Sequence, residues 1–402
     1  MTLELRAITE DELPAYRDAV MTTFGDDTVD DPNGPTRQRL LVDPAQTWAA
    51  FDRGAIVATA ATIPLEITVP GGAALPAAGL TMVSVRPTHR RRGLSRQLIA
   101  LHLADARARG HAVSALWASE AAIYGRFGYG PAAYADDLRI EQAATLSVAA
   151  GRELDDVEWA DEARARASLP AIYARATAQR PGALHRHEVW WRERLFLETS
   201  FSRGGASRRR HVIARRGGEE VGYLSYRQQP SFSGGVHGGR VKIIELVGVD
   251  ARAEATLWKL ALGMDLFPTV TWENMPVDDA LPWIVSDPRR VRRQRIDTLW
   301  LRVEDLATSL AARRYAHDGV LRFAIDATTW ELVVEHGRGR CTSTSHAPAL
   351  RLGRSALGSL YLGGTTATQL ARADLAHGDA SVIALADQLF GWPIAAWCPE
   401  VF

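Results

Sequence analysis

"VRPTHRRRGLSRQLI", residues 85–99, decides the fold. Val83 and Val85 close an apolar run, Pro87 stops it, and Gly93 opens a stretch whose apolar residues recur at helical spacing. A strand, a polar turn and a helix in that order set the helix's first turn beside the strand's end. The unpaired N–H groups of such a turn, together with the positive end of the helix dipole, make an anion cradle. Arg90, Arg91 and Arg92 add charge-assisted contacts suited to a diphosphate and a neighbouring phosphate, and Gly93 lets the backbone come close. A solvated arginine patch is the plainer alternative for the same residues.

The surrounding pattern extends this unit. Strand-like runs at 55–69, 80–85 and 112–119 flank a helix predicted from about Gly93 to Arg109. The "PGG" at 70–72 reads as a turn between antiparallel partners, which gives a mixed α/β sheet. Past residue 150 the pattern resets, with an amphipathic helix near 161–178 and a hairpin at 210–228 that turns on Gly217 and Gly218. There "IELVGVDARAEATLWKLALGM", residues 244–264, overlays "LTMVSVRPTHRRRGLSRQLIA", residues 80–100, with Val249 on Val85. It reads as a second copy in which Glu254, Ala255, Thr256 and Leu257 replace Arg90, Arg91, Arg92 and Gly93, so its anion site is lost. From about Leu299, strands such as 328–337 and helices at 365–374 and 380–389 give an α+β segment.

Bulk properties exclude several functions. With 47 basic and 47 acidic side chains among 402 residues, the chain's overall field favours neither nucleic acid nor an anionic membrane. No apolar run approaches the roughly 18 residues of a membrane span, and the acidic first residues do not form a secretory signal, so a cytoplasmic location is expected. Cys341 and Cys398 stand outside any CxxC spacing and are expected as buried free thiols. His185 and His187 lack a third ligand pattern, and no metal is expected. The basic run at 286–295 is expected as a solvated or domain-bridging surface.

A second stretch, "ASEAAIYGRFGYG" at 118–130, follows the next strand as a short helix broken by Gly125, Gly128 and Gly130. Together the two stretches resemble the Gcn5-related N-acetyltransferases (GNAT). The resemblance puts Arg90, Gly93 and Ser95 in the loop that holds the coenzyme A pyrophosphate, with serine in place of the usual glycine or alanine, and Tyr124 at the tyrosine that faces the sulfur. A tyrosine of reference pKa about 10 can protonate a departing thiolate of reference pKa about 8.5. Backbone N–H groups around Met82 to Val85 are suited to polarising the acyl carbonyl and pairing with the pantetheine arm.

The second copy, "SEAAIYGRFGYGPA" and the ending "PEVF" narrow the resemblance to the Eis (enhanced intracellular survival) family, over the whole chain. It implies two tandem GNAT-like domains, 1–149 catalytic and 150–296 degenerate, then a sterol-carrier-protein-2-like α+β domain at 297–402, assembled as a homohexamer. It further implies acetyl-CoA as cosubstrate and amine acceptors, namely aminoglycosides or related polyamines acetylated at several positions, with protein lysine as a second class. The cofactor-binding set is then Val83, Val85, Arg90, Arg91, Arg92, Gly93, Leu94, Ser95 and Ser119. Tyr124 becomes the general acid and the terminal carboxylate of Phe402 the general base. Asp26, in the acidic run "GDDTVDDP", Met82 and Glu400 fall at acceptor-pocket positions. Two departures stand out: no tryptophan precedes Trp48, and Met82 stands where the family has phenylalanine. A non-catalytic ligand-binding or scaffold protein is the alternative from another class.

Overall fold

A computed structural model describes residues 3–25, 34–141, 145–147 and 153–402. Through residue 133 it contains strands β1 (Glu4–Ala7), β2 (Thr47–Asp52), β3 (Ala55–Thr68), β4 (Ala74–Val85), β5 (Val113–Trp117) and β6 (Gly130–Pro131). Helices α1 (Leu13–Phe24), α2 (Gly34–Leu41), α3 (Leu94–Ala108) and α4 (Ala121–Tyr124) accompany them. The sheet is mixed, as the turn at 70–72 implied: β3 and β4 are antiparallel, whereas β4 and β5 are parallel. Alanine and β-branched residues make β3 nearly continuous in its burial, the mark of a strand covered on both faces. On one side α3 packs with Leu94, Leu98, Ile99, Leu103 and Ala106 buried at helical spacing.

The middle of the chain forms a second sheet from β7 (Tyr134–Glu141), β8 (Asp156–Ala160), β9 (Arg210–Arg216), β10 (Glu219–Gln229), β13 (Arg240–Gly248), β14 (Thr269–Pro276) and β15 (Val291–Asp297), with a small hairpin of β11 (Phe232–Ser233) and β12 (Val236–His237). Its strand order is β15-β7-β14-β13-β10-β9-β8. Helices α5 (Glu162–Thr177), α6 (Glu188–Trp190), α7 (Ser200–Arg203), α8 (Ala251–Leu262) and α9 (Leu281–Ile284) join it, with a π-helical turn at Trp191–Leu195. The hairpin around Gly217 and Gly218 is the β9–β10 pair. The basic run near 290 is edge strand β15, where Arg293 and Arg295 both reach Asp136 of β7. The core stacks Trp258, Trp272 and Trp397 with ring centroids 5.9 and 6.4 Å apart.

The C-terminal part supplies β16 (Leu299–Val303), β17 (Gly319–Ile325), β18 (Thr328–Glu335), β19 (Arg338–Thr344), β20 (Leu350–Leu352) and β21 (Ala376–His377), with α10 (Leu306–Ala312), α11 (Arg354–Leu360), α12 (Ala367–Arg372) and α13 (Ala380–Phe390). Strands β17 to β21 form their own sheet, but β16 inserts between β5 and β6 of the first. Helix α11 lies so close over β6 and β16 that a Cβ at Gly130 would strike the Ser355 carbonyl, and one at Gly358 the Leu301 carbonyl. Both cysteines are buried free thiols.

The sheets do not follow the cuts expected at 149/150 and 296/297. β7, before the first cut, belongs to the second sheet, and β16, after the second cut, belongs to the first. Two compact units result: Met1–Ala133 with Thr298–Pro393 and Glu400–Phe402, and Tyr134–Asp297 with Ile394–Pro399. Among the described residues, no helix is long and apolar enough to cross a membrane.

Candidate active site

The site begins where two parallel strands part. β4 and β5 pair only from Ala77–Val113 to Gly79–Ala115, and the rest of β4 diverges. In the divergent half Thr59 pairs with Ser84 and Ala61 with Thr81, so Met82 and Val83 together face Ala60, which is a β-bulge. Met82 takes φ +54°, a left-handed conformation that costs a non-glycine residue of order 1 kcal/mol or more. The Thr59 hydroxyl holds it there by donating to the Met82 carbonyl at 2.7 Å. Having one proton, Thr59 then accepts from the Ser84 hydroxyl at 2.6 Å. A bulge releases strand N–H groups from the ladder, here within the stretch Met82 to Val85.

A cavity of about 670 Å³ opens along the divergent strand. Its lining includes Val83, Val85, Arg90, Arg91, Gly93, Leu94, Ser95, Ser119 and Tyr124, nearly the whole expected cofactor set. Gly93 is the N-cap of α3 at φ +79°, and no side chain caps the helix, so its first N–H groups face the cavity end uncovered. Arg91 is also left-handed, at φ +62°. A turn of this kind points successive N–H groups inward as an anion nest.

Arg92 is the member of the expected set that the structure does not bring in. It is exposed, lies outside the cavity lining, and sits near Asp52. The Asp52 carboxyl is held below its ordinary value by its hydrogen bond with His89 at 3.0 Å, with Arg53 and Arg92 adding positive charge. His89, Arg96 and Arg126, none of them in the expected set, line the cavity as well. The signal for Arg126 was its place inside "GRFGYG".

Tyr124 ends α4 and lines this cavity. It is buried, which raises its pKa above the ordinary phenol value, while a hydrogen bond with Ser119 pulls it back. Tyr129 packs edge-on against it, with ring centroids 6.3 Å apart, but its own hydroxyl points away into the core. There Thr62, His102, Ser114 and Tyr129 form a chain at 2.7 Å per link. Because Ser114 donates to the Ala78 carbonyl at 3.0 Å, this network assigns the His102 proton to Nε2. Burial holds the His102 pKa down at about 3, so the ring is neutral.

A second cavity, of about 230 Å³, is lined by Met82, Val83, Trp117, Ser119, Tyr124, Val401 and Phe402, together with Val20 and Phe24 of α1. Phe402 is 9% exposed, so the tail is docked and not frayed. Glu400 is also buried, but among the described residues it lines neither cavity. Asp26 lies outside the described residues. His187 caps α6 by accepting from the Trp190 N–H at 3.2 Å.

Comparison with known proteins places this geometry. Residues 4–132 and 182–303 each match a model of an acetyltransferase (GNAT) domain, and 293–399 match a sterol carrier protein domain. N-acetyltransferase Eis of Mycobacterium bovis is 35% identical over 391 residues, 93% of each chain. The chain belongs to the Eis family of GNAT N-acetyltransferases. An uncharacterized N-acetyltransferase of Streptomyces coelicolor is also 35% identical, over the whole of both chains. The crystal structure of Eis1 from Mycobacterium abscessus superimposes with a TM-score of 0.85 at 29% identity, covering 99% of this chain and all of that one.

This Eis-family chain is therefore an acetyltransferase with two GNAT domains and a sterol carrier domain. GNAT acetyltransferases draw their acetyl group from acetyl-CoA, and the uncapped α3 terminus, in a cavity also lined by Arg90, Arg91, Arg96 and Arg126, fits a diphosphate. The second GNAT domain cannot offer the same site, for a reason that differs from the expected one. Glu254 to Leu257 do not stand where Arg90 to Gly93 stand; they lie inside α8, which starts at Ala251. Residues 86–93 separate β4 from α3, but only Val249 and Asp250 separate β13 from α8, so the loop is deleted. Asp250 closes what remains by accepting from the N–H groups of Arg252 and Ala253, both at 3.0 Å.

Proposed function

We propose that this chain transfers acetyl groups from acetyl-CoA to amines of aminoglycosides or related polyamines, at more than one position on a molecule. The observation that carries the reading is that Phe24, Val83, Ser119 and Tyr124 line both cavities. One cavity is also lined by the first turn of α3, the other by Phe402, and the phenol lines both. An amine entering the smaller cavity meets a thioester reaching along the larger one at Tyr124.

The transfer forms a C–N bond and breaks a C–S bond, so the site has to polarise a carbonyl, take a proton from nitrogen and give one to sulfur. In this proposal the N–H groups freed by the bulge at Met82 and Val83 polarise the carbonyl. Tyr124, kept protonated by its raised pKa, gives its proton to the thiolate. The α-carboxylate of Phe402 takes the ammonium proton, a role carried by the family resemblance and supported by the tail's burial. A carboxylate of reference pKa about 3.5 is a weak base, so its part in the proposal rests on its position at the acceptor cavity. Arg90, Arg91, Gly93, Leu94 and Ser95 hold the diphosphate in the same proposal, while Met82 shapes the acceptor cavity. A cytoplasmic location and a homohexamer enter with the family resemblance.

Thiol release from acetyl-CoA, followed with the untagged chain against aminoglycosides, simple polyamines and a lysine peptide, tests the reading. Several acetyl groups on one aminoglycoside are expected. Turnover with the lysine peptide alone would replace the acceptor class, and no turnover with any amine would overturn the proposal.

A further inference from the structure

At the base of the fork in the first sheet runs a buried polar chain that takes no part in the transfer chemistry. Ala78 and Ser114 are partners in the β4–β5 ladder, next to the last pair, Gly79 and Ala115. Thr62 of β3 pairs with Leu80, where β4 begins to diverge. His102 of α3 bonds both side chains, Thr62 through Nδ1 and Ser114 through Nε2, each at 2.7 Å. The Ser114 oxygen meets the Tyr129 hydroxyl, again at 2.7 Å. Thr62, His102, Ser114 and Tyr129 all have 0% exposure.

Every group in this chain is satisfied by one arrangement of protons. Ser114 donates its single proton to the Ala78 carbonyl, so it accepts from His102 Nε2 and from the Tyr129 hydroxyl. His102 Nδ1 then accepts from Thr62. The surroundings are apolar, with Leu80, Leu98, Leu116 and the Tyr124 ring in the same core. An apolar residue at 102 would fill that core without the desolvation cost of polar groups. What a saturated network adds is direction, because hydrogen bonds fix distances and angles where apolar contacts allow sliding.

The two ends of the chain give that direction a use. At one end, His102 stands little more than two turns into α3, whose first turn lines the larger cavity. At the other, Tyr129 is tied to Tyr124 twice. Its N–H donates to the Tyr124 carbonyl at 3.3 Å, and its ring packs edge-on against the phenol. The Ser355 hydroxyl anchors the Tyr129 carbonyl at 2.8 Å.

We propose that His102 is a positioning residue for acetyl transfer, fixing the Tyr124 phenol relative to the first turn of α3 through Ser114 and Tyr129. The inference rests on Tyr124 as the acid. With the diphosphate held at α3, the spacing from that turn to the phenol decides whether the thiolate meets its proton. A misplacement of about 1 Å can lower a rate some 100-fold. Among the described residues, His102 lines neither cavity, so it acts through this spacing and not by contact.

Steady-state kinetics of the full chain with neomycin as acceptor test the proposal. His102→Phe fills the core but breaks both links. It should lower kcat roughly 10- to 100-fold while the KM for acetyl-CoA changes by less than about twofold. His102→Gln, whose amide N–H can reach Ser114, should recover most of the loss. In a Tyr124→Phe background, His102→Phe should add nothing, because the phenol it positions has already lost its proton. Native kcat in His102→Phe, even at a lowered thermal midpoint, would overturn the proposal. So would an equal fold-loss in both backgrounds, the mark of a role in stability alone. If His102→Phe does not fold, Tyr129→Phe, which removes only the last link, takes its place with the same expected pattern and the same overturning results. Native turnover in Tyr124→Phe would overturn the acid reading and this inference together. A native chain inert toward neomycin would fail the acceptor reading alone. Crystals of the native chain and His102→Phe with coenzyme A then decide: a displaced Tyr124 hydroxyl supports the proposal, and an unmoved one overturns it.

Discussion

At the scale of single residues, the proposed acid role of Tyr124 separates chemistry from binding. Its pKa is raised by burial, so it remains a phenol throughout neutral pH and has a proton available when the thiolate forms. Tyr124→Phe keeps the ring packed and removes only that proton. Steady-state kinetics should show kcat lowered by about 10²–10⁴, the usual worth of general acid catalysis, with the KM for acetyl-CoA little changed. A variant with full turnover would take the acid role from Tyr124. Thr59 is a positioning residue, because it acts on the bulge through the Met82 carbonyl. Thr59→Val leaves that carbonyl without its donor, at a cost of about 1–3 kcal/mol, and frees a left-handed Met82 to relax. At saturating acetyl-CoA the rate should fall roughly 5- to 100-fold, and Thr59→Ser should recover most of it. Equal rates in all three proteins would show that the bulge holds itself. Gly93 and Tyr124 were legible because each sits within a short motif. Thr59 was not, since it bonds a residue 23 positions away that only the β3–β4 register brings opposite.

At the scale of elements, α3 and α8 show how an open helix terminus is lost. Both follow a strand at the edge of a fork, and the sequence overlay caught the strands. It misplaced the second helix because apolar residues at helical spacing continue through Ala253, Leu257 and Ala261, whatever the starting point. The decisive residue was Asp250, an N-cap whose carboxylate takes the N–H groups that an anion would need. The same logic gives a test in the active domain. Gly93→Asp would set a carboxylate over the first turn of α3, supplying an internal anion and facing Arg90 and Arg91. Its φ of +79° adds strain, although aspartate tolerates left-handed backbone better than most residues. The expected result is a KM for acetyl-CoA raised by about 10- to 100-fold, from 1.4–2.8 kcal/mol of lost binding, with kcat changed much less. A fall in kcat alone would mean that the terminus serves the reaction and not the diphosphate.

At the scale of the whole molecule, chain order and fold order part company. Local patterns told where strands and helices fall, but nothing local says which sheet a strand joins, and β7 and β16 both cross the expected cuts. The consequence is a difference between two pieces of the chain. A piece ending at residue 149 contains β5 and β6 without β16, the strand that pairs with all five residues of β5 and bridges it to β6. Val113, Ala115 and Leu116 are then left on a newly exposed edge, with unpaired backbone groups beside apolar side chains. Such an edge recruits other chains, so piece 1–149 should aggregate when expressed alone. Piece 134–297 instead holds all seven strands of its sheet, and α5 and α8 besides. Of its buried core it lacks Trp397, whose loss costs about 3–5 kcal/mol by analogy with aromatic truncations in cores. It should remain soluble and unfold cooperatively, at a lower midpoint than when residues 394–399 are appended by a short linker. Calorimetry and size-exclusion chromatography of the pieces decide. A soluble, cooperatively folded 1–149 would show that β5 and β6 close a sheet without β16, and the bridging strand would then be a later addition to a fold already complete.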